Sequence, residues 1–241
     1  MMLLLLRSLI YQVFFIGSTL VFSLAILLIG WMVSDTLIAR LARSWARVNL
    51  AALRLICRLD YRVQGLEHLP RDTAIVLCKH QSAWEIIALR AMLPFEQSWV
   101  LKQELMRIPV FGWALKRLHP IAIDRAAGRR AAAQLIREGE RLLNAGRWIV
   151  IFPEGTRVAP GVRQPYAIGG AMLAERSGRP VVPIAHNAGY FWGRRRFVKS
   201  PGTIDVVIGP LLETQGRKAA EINTAVEEWI ESTLDALPKP D

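Results

Sequence analysis

Two short segments combine residue types that can move a proton and hold an anion. Lys79-His80-Gln81-Ser82-Ala83-Trp84-Glu85 sets an imidazole shortly before a carboxylate. An imidazole titrates near neutral pH. A carboxylate that accepts its Nδ1 hydrogen fixes the tautomer, and Nε2 is then free to take a proton from a hydroxyl. A plainer reading exists: Ser82-x-x-Glu85 is a helix capping box, which accounts for both residues without catalysis but leaves His80 unexplained. Phe152-Pro153-Glu154-Gly155-Thr156-Arg157 offers Gly155 for a tight turn with exposed N–H groups and Arg157 for bidentate phosphate binding. An ordinary turn with a surface arginine is the alternative there. Ile123-Asp124-Arg125 joins an acid to a base, and Asp124 is also a candidate N-cap. Cys57 and Cys78 stand in no Cys/His cluster, so neither a disulfide framework nor a metal site is expected.

Each segment lies where a buried strand ends. The apolar runs 73–78 and 148–152 read as strands, with shorter ones at 98–101 and 121–123 and later ones at 181–185 and 204–208. Helices are expected over 83–92, over 126–144 up to Gly146, over 168–177 up to Gly178, and over 219–237. Strands alternating with helices argue for an α/β sheet covered by helices, the architecture that gathers ligands at strand ends. The chain shows no internal repeat and no low-complexity linker, so residues 60–241 read as one domain.

Residues 1–59 differ in kind. No charge falls between Ser8 and Ser34, and as a helix this stretch exceeds the ~30 Å apolar core of a bilayer. It is too long for a signal-peptide core, and no A-x-A site follows. Ser34-Asp35-Thr36 supplies a turn and an N-cap. Beyond it, Arg40, Arg43, Arg47, Arg54 and Arg58 fall on one arc of a helical wheel, with Leu41, Trp45, Ile56 and Leu59 on the flank. Such a helix lies in the headgroup zone, with Trp45 at its boundary; the alternative is the solvated face of a helix packed on the domain. If the first helix spans the membrane, these arginines outweigh Arg7 and keep the C-terminal domain in the cytoplasm.

In order along the chain, the motifs resemble those of the 1-acyl-sn-glycerol-3-phosphate (lysophosphatidic acid) acyltransferases, a branch of the glycerolipid acyltransferases. That family is marked by His-x4-Asp, Gly-x-x-x-Ile-Asp-Arg, Phe-Pro-Glu-Gly-Thr-Arg and a later Val-Pro-Ile. Here they read His80 to Glu85, Ile121-Ala-Ile-Asp-Arg125, Phe152 to Arg157 and Val182-Pro-Ile-Ala185. Val63-Gln-Gly-Leu-Glu67 and the stretch 102–112 also look like the family, and the likeness covers about residues 60–210. Three positions depart from the pattern. Glu85 replaces an aspartate, Lys79 stands where asparagine is common, and His119 stands where glycine is usual. The resemblance implies a mixed sheet of the glycerolipid-acyltransferase type with a membrane-associated pair of N-terminal helices.

It also implies transfer of a fatty acyl group from acyl-CoA or acyl carrier protein to the sn-2 hydroxyl of lysophosphatidic acid, giving phosphatidic acid at the inner membrane. His80 would be the base and Glu85 its orienter. Arg125, Glu154, Gly155, Thr156, Arg157 and Lys102 would serve the acceptor, and no cofactor or metal is implied. Amides after His80 or around Gly155 are candidates for the oxyanion, and Phe111, Trp113 and Leu115 for an acyl path. Ser82 and Cys78 are too close in sequence to His80 to act readily as nucleophiles on it. With 31 basic against 20 acidic residues the chain carries a net charge of +11. Arg194-Arg-Arg196 and Lys199 suit anionic lipid, coenzyme A phosphates or an acidic carrier protein. A different lyso-lipid acceptor is the rival within the enzyme class, and a silent membrane-anchored lipid-binding protein the rival outside it. Nucleic-acid binding is disfavoured because the arginines cluster on the juxtamembrane helix, and a serine hydrolase because no G-x-S-x-G elbow is present.

Overall fold

The structure, a computed structural model, describes residues 1–93 and 96–240, with the backbone alone for Arg125. Two helices come first, α1 (Met2–Ile29) and α2 (Asp35–Ala52). Then follow β1 (Leu59–Gln64), β2 (Ile75–Cys78), α3 (Trp84–Met92), β3 (Gln97–Lys102), α4 (Phe111–Lys116) and β4 (Ile121–Ile123). The chain continues through α5 (Arg129–Asn144), β5 (Trp148–Ile151), α6 (Gly169–Ser177), β6 (Val181–His186), α7 (Ala188–Phe191), β7 (Gly202–Ile208) and α8 (Ala219–Ala236).

The seven strands form one sheet in the order β1-β7-β6-β2-β5-β3-β4. Its pairs are parallel except β6 with β7, which makes the sheet mixed as expected. Strand periodicity sorts the core into two layers. Val76, Cys78, Trp148, Val150, Val182 and Ile184 point to the face covered by α1, α2 and α3. Ile75, Leu77, Ile149, Ile151, Val181 and Ala185 point to the face covered by α5, α6 and α8. β2 is central, with β6 and β5 parallel on either side, so the three chain segments that leave their C-terminal ends emerge together.

Helix α1 is inside out. Its buried residues are Ser8, Tyr11, Ser23 and Ile26, while Leu9, Val13, Ile16, Leu20, Val21 and Leu24 are exposed. Polar groups along α1 meet the domain over most of its length. Ser8 Oγ accepts the Lys199 N–H, Gln12 Oε1 accepts from Lys199 Nζ at 2.8 Å, and Asn49 Nδ2 on α2 donates to Ser18 Oγ. Tyr11 packs edge-on against Trp192, and Ile26 joins Ile38, Ala42, Ala114 and Leu118.

Several sequence expectations shift. The helix expected over 126–144 begins as a short 3-10 turn, Arg125–Ala127, capped by Asp124, and the α-helix starts only at Arg129. The basic helix ends before Arg58, which follows a π-helical turn at Leu53–Cys57 and takes a left-handed φ of 54° to enter β1, a strand the sequence reading missed. Arg40, Arg47 and Arg54 are exposed, but Arg43 turns inward and donates to the Leu93 carbonyl at 2.8 Å. Trp45 packs against Phe15 rather than standing at an outer boundary. Ser34 caps α2 as expected, its hydroxyl accepting the Leu37 N–H.

Candidate active site

His80 follows β2 in a turn whose polar groups are almost all out of water. Nδ1 of His80 lies 2.7 Å from Glu85 Oε1, with Glu85 fully buried on the first turn of α3. The same oxygen accepts the Gln81 and Ser82 N–H groups at 3.0 and 2.8 Å. Ser82 Oγ accepts the Trp84 N–H. The carboxylate therefore does the capping that the box predicts and also holds His80, so the two readings of this segment coexist. Burial alone would raise the Glu85 carboxyl. The His80 hydrogen bond, the His186 and His80 rings and the Ser82 N–H outweigh it and hold the group below the usual carboxylate range. An ionised Glu85 makes His80 Nδ1 the donor and leaves Nε2 as the basic nitrogen.

The loop after β5 grips the backbone of His80 from both sides. Glu154 Oε2 accepts the His80 N–H at 3.0 Å, and the Val158 N–H donates to the His80 carbonyl at 2.7 Å. Phe152 stacks on the imidazole, centroids 4.0 Å apart. Gly155 makes this turn possible with a φ of 67°, a region that disfavours side chains. Its N–H donates to the Phe152 carbonyl. The amides of Gln81, Ser82, Trp84 and Gly155 are thus already committed, which narrows the oxyanion candidates in these two segments to other donors.

Lys79 does not line the cavity over His80. Its ammonium is buried beneath the turn, 2.9 Å from Glu154 Oε1 and 2.6 Å from Glu231 Oε1 on α8, and Tyr166 Oη donates to the same Glu231 oxygen. Burial pushes the Glu154 carboxyl up to about 7, with Lys79 pulling the other way. Glu154 shares Lys79 with Glu231, which also meets Arg163 at 3.7 Å, and Glu154 is the more deeply buried of the two carboxylates. Glu154 thus ties Lys79 to His80 from inside instead of facing a ligand. Behind the dyad, buried His186 donates from Nε2 to the Lys79 carbonyl, accepts the Ala188 N–H at Nδ1, and is driven down by burial. It was missed in the sequence, although it directly follows the Val-Pro-Ile-Ala segment.

A cavity of about 430 Å³ opens over His80 and is lined by Lys102, Thr156 and Arg157 among others. Lys102 is exposed and paired with Glu104 at 2.8 Å. Arg125 follows β4, and its side chain lies outside the described residues. Ile86, Arg90, Phe111, Leu115 and Leu118 also line a second, apolar cavity that reaches Ser23, Ile26 and Ala42 on α1 and α2. Trp113, expected beside Phe111 and Leu115, points out to the surface. Arg90 stands at the neck, buried against Trp99, and burial lowers its pKa to about 9, with Arg147 and Arg43 adding to the effect. Cys78 and Ser82 are fully buried, and burial drives the Cys78 thiol well above its ordinary range, so neither is placed as a nucleophile. His119 takes a left-handed φ of 51°, which accounts for the glycine usual at this position, and its Nε2 lies 2.5 Å from Asp35.

The family model for Acyltransferase matches residues 60–187, from β1 to the end of β6. The chain belongs to that family. It is 43 % identical over 196 residues to the 1-acyl-sn-glycerol-3-phosphate acyltransferase of Pseudomonas aeruginosa, covering 80 % of this chain and 76 % of that protein. Against the protein of the same name from Bacillus subtilis the identity is 31 %, over 77 % of this chain and 96 % of the other. In fold it matches the crystal structure of the 1-acyl-sn-glycerophosphate acyltransferase PlsC from Thermotoga maritima, with a TM-score of 0.82, 98 % of each chain covered and 20 % identity.

As an acyltransferase-family member, the chain places its dyad on a charged foundation that can be removed. Lys79→Met removes the buried cation that Glu154 and Glu231 share, leaving Glu231 only the more exposed Arg163 at 3.7 Å, and is expected to cost about 3–5 kcal/mol of stability. Denaturant unfolding of the micelle-solubilised protein measures this, and a loss under ~1 kcal/mol would contradict the buried network.

Proposed function

We propose that the protein transfers a fatty acyl group from a thioester donor to the sn-2 hydroxyl of lysophosphatidic acid, forming phosphatidic acid for phospholipid synthesis. The observation that carries this reading is a buried, carboxylate-oriented histidine on the wall of a cationic cavity that adjoins an apolar one. It is supported by relatives named for that reaction.

In this mechanism the acceptor hydroxyl approaches His80 Nε2, which takes its proton as the oxygen attacks the thioester carbonyl. Glu85 stabilises the imidazolium that forms; collapse of the tetrahedral adduct then breaks the C–S bond, and the departing thiolate takes the proton from His80, a leaving group good enough to remove the need for a protein nucleophile. Negative charge on the carbonyl oxygen falls to donors on the cavity wall, Thr156 and Arg157 among them. Arg157 and Lys102 attract the acceptor phosphate, while Gly155 and Glu154 shape the loop that carries Arg157. The acyl chain runs past Phe111 and Leu115 into the apolar cavity between the domain and the N-terminal helices. The reaction as written uses no cofactor, and acyl-CoA and acyl carrier protein both supply the required thioester.

The outward apolar face of α1 suits lipid and not water. Because α1 is docked along the domain from Ser8 to Ile26, it lies in the membrane beside the domain rather than projecting freely through it. The exposed Arg40, Arg47 and Arg54 then face anionic headgroups on the cytoplasmic side.

Acyl transfer to lysophosphatidic acid in detergent micelles tests the reaction. His80→Ala is expected to lower kcat about 10²- to 10⁴-fold with an unchanged fold; activity within a few-fold of wild type would remove His80 as the base. Ala42→Phe fills the apolar cavity from α2 and is expected to shift donor preference toward shorter acyl chains. An unaltered chain-length profile would place the acyl chain elsewhere.

A further inference from the structure

The triple arginine at 194–196 lies outside the four motifs and has no part in the mechanism above. Arg194 and Arg195 nonetheless line the cavity over His80 together with Arg157. The acid on that wall, Glu104, is taken by Lys102. Among the described residues no carboxylate lies within ion-pair distance of Arg157, Arg194 or Arg195.

The loop carrying them is fastened to the catalytic turn. Gly193 forms an antiparallel bridge with Ser82, and a Cβ there would come within 2.8 Å of the Gly189 carbonyl. Arg194 Nη1 donates to the Arg157 carbonyl at 3.1 Å, which ties the two loops together. Arg195 adopts a left-handed φ of 58°, a conformation unfavourable for a residue that bears a side chain. Three uncompensated guanidinium groups held on one wall repel one another, and an anion placed between them offsets that repulsion.

Which anion follows from the length of the substrates. Only a few bonds separate the sn-2 oxygen of a lysophospholipid from its phosphorus, so an acceptor at His80 carries its phosphate into this cavity. The phosphates of a coenzyme A or carrier-protein thioester lie a whole pantetheine arm away. A phosphate monoester carries close to two negative charges at neutral pH and three terminal oxygens. A phosphodiester headgroup carries one charge and two such oxygens. We propose that Arg195, positioned by the Arg194 tether, is a specificity residue that selects a phosphate monoester acceptor over a phosphodiester one. This inference rests on the acceptor reading given above.

The test uses the full chain in neutral detergent micelles, so that membrane charge plays no part. Wild type, Arg195→Gln and Arg195→Lys receive lysophosphatidic acid or lysophosphatidylglycerol at saturating donor. Arg195→Gln is expected to raise KM for lysophosphatidic acid about tenfold with kcat little changed, and to alter KM for lysophosphatidylglycerol less than about twofold. Arg195→Lys, which keeps the charge without the fork, is expected to fall between. Equal losses on both acceptors, or a raised KM for the donor instead, would overturn the proposal. A second readout needs no turnover: soluble glycerol 3-phosphate should raise the Tm of wild type more than that of Arg195→Gln. An equal shift in both proteins would overturn it too. A wild type that acylates neither lipid yet keeps the difference in Tm shift would sink the reaction and leave the monoester site standing.

Discussion

Everything at the site depends on keeping one carboxylate ionised out of water. Glu85 is fully buried, where an unpartnered charge would cost several kcal/mol. It is retained because Oε1 receives two backbone N–H groups and the His80 ring. Those bonds satisfy amides of the turn that would otherwise be orphaned, so capping the helix and orienting the His80 ring fall to a single oxygen. Glu85 stands where the family has aspartate, and its extra methylene does not prevent contact with the histidine.

The sheet makes this arrangement available to residues far apart in sequence. β2 delivers His80, β5 beside it delivers the loop from Phe152 to Arg157, and β6 on its other flank delivers His186. Parallel neighbours end on the same edge, so each loop completes the hydrogen bonding of the next: Glu154 and Val158 hold His80, and His186 holds Lys79. Beneath them α8 contributes Glu231 to the Lys79 network, coupling the last helix to the turn that carries His80. On the opposite side of the sheet from α8, α1 and α2 form a wall of the apolar cavity, so the N-terminal helices are part of the domain's architecture beside His80 and not a detached appendage.

Much of this was legible in the sequence because it is written locally. Alternating apolar runs marked six of the seven strands. The box at Ser82 and Glu85 marked a helix start, and the four motifs marked the edge where they meet. What escaped was either long-range or locally ambiguous. β1 was masked by a basic pattern that continues through Arg54 to Arg58, and only the left-handed turn at Arg58 separates helix from strand. Lys79 stood out only as a departure from the family's usual asparagine, since nothing near it in sequence announces Glu231. Glu154 read as a ligand contact, although its carboxylate turns inward to Lys79 and the His80 amide. His186 carried a weak signal, a polar residue ending an otherwise buried strand.

The central claim is that Glu85 sets the tautomer of His80, and the ring nitrogens report it directly. The chain has four histidines, which makes a ¹⁵N-histidine spectrum of the micelle-solubilised protein assignable by single substitutions. With the rings neutral, His80 is expected to carry its hydrogen on Nδ1 and present a bare Nε2, while His186 shows the reverse pattern because it donates from Nε2 to the Lys79 carbonyl. A hydrogen on Nε2 of His80 would mean that the nitrogen facing the acceptor is not basic, and the account of His80 as the base would fail.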